Sequence, residues 1–476
     1  MRLIAASLAT LVAASTLHAQ STALTPHQKL ARSVYQQLVE TNTVDSVGSV
    51  TKAARAMAAR FRAAGFPAKD VQILIPPGKP TKGNLVVRYR GSAGSSASAP
   101  KPLLLLAHLD VVAAKRADWP RDPFVMREEN GYFYGRGVAD DKAMASIFVA
   151  NLLTMKKEGV VPGRDIILAL TADEEGGDAN GVEWLVSAHK SLIDAAYAIN
   201  EGGGGLLDGD RPVLNSIQAA EKVPMNFTLT TTNPGGHSSV PRPDNAIYEL
   251  AIALTKLAQF QFPVALNEVT RPYFERSASV EPRPEMAAAM RAIAANPADS
   301  AAAATLSKDP RFASMLRTSC VATRLSGGHA YNALPQTATA NVNCRVAPTS
   351  NADEVIATLT RVIGDTGVKI SFTVPNTEKF GAAPSAIEPE LLSAATALTK
   401  KMWGDIPVIP TMSTGATDGR FLRAAGIPTY GVSGIFSAPG ETNAHGRDEK
   451  LRVKSYYEGL SFLDELVRSL SGSPRT

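Results

Sequence analysis

Residues 103–107 read Leu-Leu-Leu-Leu-Ala and run without interruption into His108-Leu109-Asp110. Unbroken apolarity over a short run describes a strand covered on both faces, whereas strict alternation would describe a sheet with one face in water. A chain with such a strand must supply helices to both of its sides.

The flanking sequence supplies them. Helical spacing predicts helices over residues 26–40, 50–64, 142–156 and 182–191, and runs rich in Val, Ile and Leu predict strands over 71–75, 85–89, 165–171 and 195–199. Residues 91–100, rich in Ser, Ala and Gly, read as a surface loop. Alternating helices and strands predict an α/β fold built on a mostly parallel sheet with flanking helices. In such sheets ligands bind beyond the carboxyl ends of the strands. His108, Glu174-Glu175 and Glu201 all fall at such ends.

From about Glu221 the texture changes. A strand over 225–232, a helix over 245–259, an Ala-rich helical stretch over 285–305 and a strand pair over 317–325 and 337–346 describe a second, smaller α+β domain. Helix and strand alternation resumes after residues 377–384, with elements over 387–403, 408–410, 429–432 and 455–470. His445 lies in this last part, so if it joins the earlier site residues the catalytic domain is discontinuous and the smaller domain is inserted into it. The chain then divides into residues 1–19 as a signal peptide, 20–220 and 379–476 as two parts of a catalytic domain, and 221–378 as the insert. A length of 476 residues agrees with about two or three domains.

Met1-Arg2, the apolar stretch 3–17 and Leu17-His18-Ala19 read as a secretory signal cleaved after Ala19, which predicts a periplasmic or secreted protein. No later apolar run reaches the length of a membrane span. The net charge of +5 comes without a dense Lys/Arg block, which argues against nucleic acid as a partner. Cys320 and Cys344 fall on two strands flanking the loop 327–335; they pair in an oxidising compartment or stand as two buried thiols.

His108, Asp140, Glu175, Glu201 and His445 are the candidate metal ligands. Two imidazoles and three carboxylates suit two zinc ions, and a carboxylate shared between the ions, here Asp140, holds them about 3.5 to 4 Å apart. Cobalt and manganese accept similar ligands. Asp110, two residues past His108, is placed to accept that ligand's other ring N–H. Neighbouring side chains diverge, so one carboxylate of Glu174-Glu175 ligates while the other, Glu174, faces the water to be activated and serves as general base.

The segments Ala107-His108-Leu109-Asp110, Gly135-Arg136-Gly137-Val138-Ala139-Asp140-Asp141-Lys142, Asp173-Glu174-Glu175-Gly176-Gly177 and Asn200-Glu201-Gly202-Gly203 resemble the motifs of the aminoacylase/carboxypeptidase di-zinc peptidase family, peptidase family M-twenty. The resemblance covers nearly the whole mature chain. It implies a zinc-exopeptidase-like sheet with an inserted lid and dimerisation domain. It also implies that His108 and Glu201 hold one zinc, Glu175 and His445 the other, that Asp140 bridges and that Glu174 is the base. Asp141 is read as a helix-start carboxylate. Gly235-Gly236-His237 resembles a segment whose His polarises the scissile carbonyl, in dimeric members that of the partner subunit, which makes His237 a catalytic candidate and a homodimer an expectation. Asn332 and Arg345 resemble positions that bind a substrate carboxylate, and Gly415 resembles a loop that lies along the substrate. Where the family often has Asp before the terminal acidic ligand, this chain has Asn200.

The long insert, with its Ala-rich helices, is more similar to the carboxypeptidase S and N-acyl-amino-acid hydrolase branch. The expected function is an exported two-zinc hydrolase cleaving an amide bond beside a free carboxylate, in a carboxypeptidase or dipeptidase reaction. N-acyl-amino-acid deacylation uses the same catalytic residues. A non-catalytic amino-acid or peptide binding protein on this fold is the alternative of another class.

Overall fold

The structure, a computed structural model, describes residues 23–94, 99–373 and 381–473. The signal segment 1–19 and the proposed boundary at residue 378 lie outside the described residues. Strand Leu103–His108 is buried at all six positions, as is its neighbour Ile166–Thr171. It runs parallel to that strand on one side and to Tyr197–Asn200 on the other. Thr429–Gly431 continues the parallel set beyond Tyr197–Asn200. Strands Val71–Leu74 and Asn84–Tyr89 add antiparallel pairings at one end of this ten-stranded sheet. The result is an α/β fold with a large, mostly parallel central sheet.

Helices Pro26–Val39, Val50–Ala63, Lys142–Lys157 and Val453–Leu470 cover one face. Gly181–Ile193 and Gly419–Ala424 cover the other. Helix Lys142–Lys157 is buried nearly all round, so it lacks the polar stripe of a surface helix. Each fully buried Leu in such a core contributes roughly 1.5 to 3 kcal/mol, and six-residue strands packed this way hold their carboxyl ends in fixed positions.

At the far end of the sheet stand elements that periodicity did not reveal. Arg211–Glu221 is an eleven-residue strand that pairs with Gly205–Asp208, Val408–Ser413 and Thr429–Gly431. Its first half is only partly buried and mixes Arg, Pro, Asn and Ser with apolar residues, so it carries neither signature of a strand.

The residues between Val223 and Phe372 build two cores. One packs helices Ala246–Gln259 and Ala352–Ile363 on a four-stranded sheet of Val223–Thr232, Ser319–Gly327, Thr337–Val346 and Lys369–Phe372. The other is a cluster of four short helices, Thr270–Ser277, Pro284–Ala295, Ser300–Leu306 and Pro310–Leu316. The Ala-rich stretch is thus two helices, broken at Asn296-Pro297 because proline disfavours helical backbone in the residue before it. The first helix of this cluster rests on the central sheet, where the Arg276 guanidinium donates to the Val408 carbonyl at 3.5 Å.

Cys320 and Cys344 lie directly opposite each other on adjacent strands and form a disulfide. The bond closes a loop with a sequence separation of 24. For a loop of that length, the restriction of the unfolded chain contributes about 3 kcal/mol. The variant carrying both Cys320→Ala and Cys344→Ala is therefore expected to unfold at lower urea, with a stability loss of about that size. Equal midpoints for parent and variant would contradict it.

Candidate metal centre

Every candidate ligand stands at a sheet end or on a loop beside it. His108 is the last residue of its strand, Glu174 and Glu175 follow Ile166–Thr171, and Glu201 follows Tyr197–Asn200. Asp140 precedes helix Lys142–Lys157, and His445 sits in the loop before strand Lys450–Arg452. The fold brings these five into two groups that share Asp140: His108, Asp140 and Glu201, and Asp140, Glu175 and His445. In each group the ligand atoms lie within 4.8 Å of one another. Asp140 offers one oxygen to each side, Oδ1 at 3.0 Å from His108 Nε2 and Oδ2 at 3.1 Å from His445 Nε2. Glu201 Oε1 is 3.9 Å from His108 Nε2, and Glu175 Oε2 is 2.9 Å from His445 Nε2.

Asp110 does more than the sequence implied. The nearer acceptor at His108 Nδ1 is the main-chain carbonyl of Asp110 at 3.1 Å, with the carboxylate at 3.6 Å. The two carboxylate oxygens instead accept the backbone N–H groups of Glu174 and Glu175 at 3.2 and 3.0 Å. One side chain therefore ties the strand end that bears His108 to the loop that bears both glutamates. Asp173, at φ 60°, anchors the same loop through its ion pair with buried Lys82 at 2.5 Å. Asp141, expected as a helix-start carboxylate, makes no capping bond. Its side chain is buried, and Oδ2 has no hydrogen-bond partner among the described residues.

Burial and mutual repulsion dominate the electrostatics. Desolvation, reinforced by the Asp418, Glu175 and Asp140 carboxylates, pushes Glu174 up to about 9. Glu175 rises to about 7 for the same first reason, with Asp140 the next contributor. Glu201 lies well above the carboxylate range through burial. Asp140 is held low by its hydrogen bonds to the two imidazoles, against the effect of its own burial. His445 rises to about 9, chiefly through its hydrogen bond to Asp140. Carboxylates crowded this closely out of water are unfavourable together unless a cation joins them. The donor set, with the unpartnered Asp141 oxygen beside it, fits two divalent ions.

The metal-stripped protein should lose stability as pH rises. Glu174, Glu175 and His445 have folded values of about 9, 7 and 9 against ordinary values of 4.5, 4.5 and 6.5, so each keeps its proton to higher pH in the fold than in the unfolded chain. Their contribution to stability is full below the ordinary values and is lost as pH rises through the folded ones. The Tm of the stripped protein should fall from pH 6 to pH 9. The metal-loaded protein should show a flatter profile, because cations replace the protons. Thermal melts with and without chelator check this, and a stripped protein that gains stability over that range would contradict it.

The substrate-side candidates belong to neither metal group. His237 pairs with Ala333 in a short exposed two-stranded ribbon, where its Nδ1 lies 2.7 Å from Ser239 Oγ. The Asn332 main-chain carbonyl accepts the Ser238 N–H at 3.0 Å. Arg345, half-buried, stands on the four-stranded sheet opposite Ser319 and Pro224. Burial and then nearby Arg420 lower its pKa. Gly415 lies in the loop after Val408–Ser413, its N–H bound to Ser413 Oγ at 3.1 Å.

Asp418 escaped the sequence reading, and Asn200, noted there only as a departure from the family pattern, has a role at the centre. Asp418 is buried and accepts from Asn180 Nδ2 at 2.7 Å, and burial raises it to about 6. Asn200 donates to Thr417 Oγ1 at 3.2 Å, linking the Glu201 strand to the Asp418 loop. A cavity of about 620 Å³ opens beside Asp140, Asp141 and Glu201. A second, of about 430 Å³, adjoins it and shares Leu206, Leu214, Tyr273, Arg311 and Pro439.

Fold and site together define a metal-dependent hydrolase. The chain belongs to Peptidase family M20/M25/M40, whose profile matches residues 104–469. The human N-fatty-acyl-amino acid synthase/hydrolase PM20D1 is 27% identical over 383 residues, spanning 78% of this chain and 74% of the relative. Mouse aminoacylase-1 is 25% identical over 386 residues, spanning 80% of this chain and 82% of the relative. Among solved structures, an M20 family metallo-carboxypeptidase, Sso-CP2 from Sulfolobus solfataricus, superposes with a TM-score of 0.68 at 19% identity, covering 92% of this chain and 98% of that one. Human carnosine dipeptidase 1 does so with a TM-score of 0.63 at 15% identity, covering 94% and 97%.

Proposed function

We propose that this protein is an exported two-metal hydrolase that cleaves an amide bond next to a free carboxylate. The observation that carries the reading is Asp140 turned between two ligand groups, with the half-buried Glu174 close enough to His108, Glu175 and Asp140 to feel their charges. Two divalent ions, zinc in the first instance, would supply Lewis-acid polarisation of the scissile carbonyl and acidify water.

Glu174 takes the proton from the attacking water and passes it to the departing nitrogen. Positive charge next to it lowers its pKa from the metal-free value, the direction a general base requires. Arg345 and Asn332 grip the substrate carboxylate, and a guanidinium suits that task because its planar fork matches a carboxylate. Gly415 lines the substrate. His237 donates to the oxyanion developing on the carbonyl. Its exposed position on the insert agrees with delivery to the partner's site in a homodimer. The edge strand Ser319–Gly327, with Val321 and Leu325 exposed, offers a surface for such pairing.

The paired cavities favour deacylation over peptide cleavage within this reading. Leu206, Leu214, Tyr273, Met290 and Phe312 give the two cavities apolar walls that suit an acyl chain, beside Arg311, Arg283 and Glu281, which line them as well. The relatives named for N-fatty-acyl-amino acids and for aminoacylase activity support the same choice. Export is supported by the signal-like N-terminus and by a disulfide suited to an oxidising compartment. Among the described residues, no helix is long and apolar enough to cross a membrane.

A substrate panel tests this reading: dipeptides, N-acetyl and long-chain N-acyl amino acids, each as free acid and as amide. The free acids should be cleaved and the amides poorly. Arg345→Lys keeps the charge but loses the fork, and should lower kcat/KM for free acids by roughly 1.5 to 3 kcal/mol while leaving amides nearly unchanged. Equal turnover of acids and amides by the parent protein would refute the carboxylate requirement.

A further inference from the structure

His445 is the least protected ligand. Its side chain is 55% exposed, against 1% for His108, so packing does not hold it in place. Its loop is also strained: Asn443, His445 and Asp448 have φ of 49°, 63° and 54°, a region that side chains disfavour and that persists only when the surroundings enforce it.

The surroundings are Arg136 and Glu449, both almost wholly buried. Arg136 Nη2 donates to the main-chain carbonyls of His445 at 3.2 Å and Gly446 at 3.0 Å. Its Nη1 donates to Glu449 Oε2 at 2.6 Å. Trp119 flanks the guanidinium at 5.2 Å from the ring centre. Glu449 in turn accepts three backbone N–H groups, those of Gly137 at 2.9 Å, Ala139 at 2.8 Å and Asp140 at 3.1 Å. Gly137 has φ +81°, and a Cβ there would meet Val111 at 2.7 Å, so the loop can curl around the carboxylate only as glycine.

Resting on the two-metal reading, we infer that Arg136 and Glu449 form a bracket that sets the spacing between Asp140 and His445, and thereby the affinity of the second metal position. They are positioning residues: neither belongs to a ligand group, and Glu449 reaches Asp140 through its main chain alone. Lysine at 136 keeps the charge yet lacks the planar fork that serves Glu449 and two carbonyls at once. Because Arg136 touches the His445 loop and not His108 or Glu201, its loss should weaken one metal position and spare the other.

The test is a zinc titration of the stripped full-length protein by calorimetry, with the Tm of the stripped protein measured alongside. The parent should show two binding steps. In Arg136→Lys the weaker step should lose about 10- to 100-fold in affinity, the usual range for groups that orient metal ligands. The stronger step and the Tm of the stripped protein should stay near parental values. Glu449→Asp keeps the buried charge but shortens the reach to the Asp140 main chain and, since Asp140 serves both groups, should weaken both steps. Unchanged steps in either variant, or both steps weakened in parallel in Arg136→Lys, would overturn the inference. So would failure of both variants to fold, because the pair would then be holding the fold and not the site. A parent with a single step would refute the two-metal reading itself.

Discussion

Glu174→Gln is expected to keep both metals and lose about 10²- to 10⁴-fold in kcat with little change in KM. Glutamine has the size and shape of the glutamate, so the backbone bonds that hold this loop to Asp110 survive. It has no proton acceptor of useful basicity, and a positioned general base accounts for a loss of that size. An unchanged KM follows because the side chain acts on the water and not on the substrate carboxylate, and a fall confined to kcat marks an interaction made only in the transition state. Metal analysis and steady-state kinetics on one preparation decide the matter. A variant with more than a tenth of parental kcat would move the base to another buried carboxylate, of which Asp141 and Asp418 are the neighbours.

Asp140→Asn should empty both metal positions, whereas Glu175→Ala should empty one. Each Asp140 oxygen faces a different imidazole, at 3.0 and 3.1 Å, so its single charge serves both groups. An amide offers one neutral oxygen and turns a donor toward the other group. Glu175 belongs only to the His445 group, and His108 and Glu201 remain in place without it. After dialysis against metal-free buffer, elemental analysis should give about two metals in the parent, about one in Glu175→Ala and well below one in Asp140→Asn. Activity should vanish with the shared ligand. A parent fixed at one metal with zinc in excess would show that Asp140 does not bridge.

The strand Leu103–His108 and its parallel neighbours were legible because burial on both faces writes itself locally as unbroken apolarity. Helices Pro26–Val39, Val50–Ala63 and Gly181–Ile193 were legible for a similar reason, the spacing of their buried apolar residues being set by the helix period. His108, Glu175 and Glu201 could be placed at strand ends from order alone, since parallel strands with helical crossovers present their carboxyl ends to one side. Strand Arg211–Glu221 could not be read, because half of it is only partly buried and its sequence answers to neighbours and not to a period. The docking of the 270–316 helices on the central sheet was equally silent.

By itself, then, the sequence determined an α/β sheet and a set of residues with the chemistry of a metal-dependent hydrolase. Tertiary structure alone decided that Asp140 faces His445 across 305 residues, that Arg136 and Glu449 meet across 313, and that Cys320 and Cys344 stand opposite each other. Periodicity records what a residue's own segment buries. Which segments then meet, and at what distance, is fixed by side-chain packing between parts of the chain that carry no common pattern.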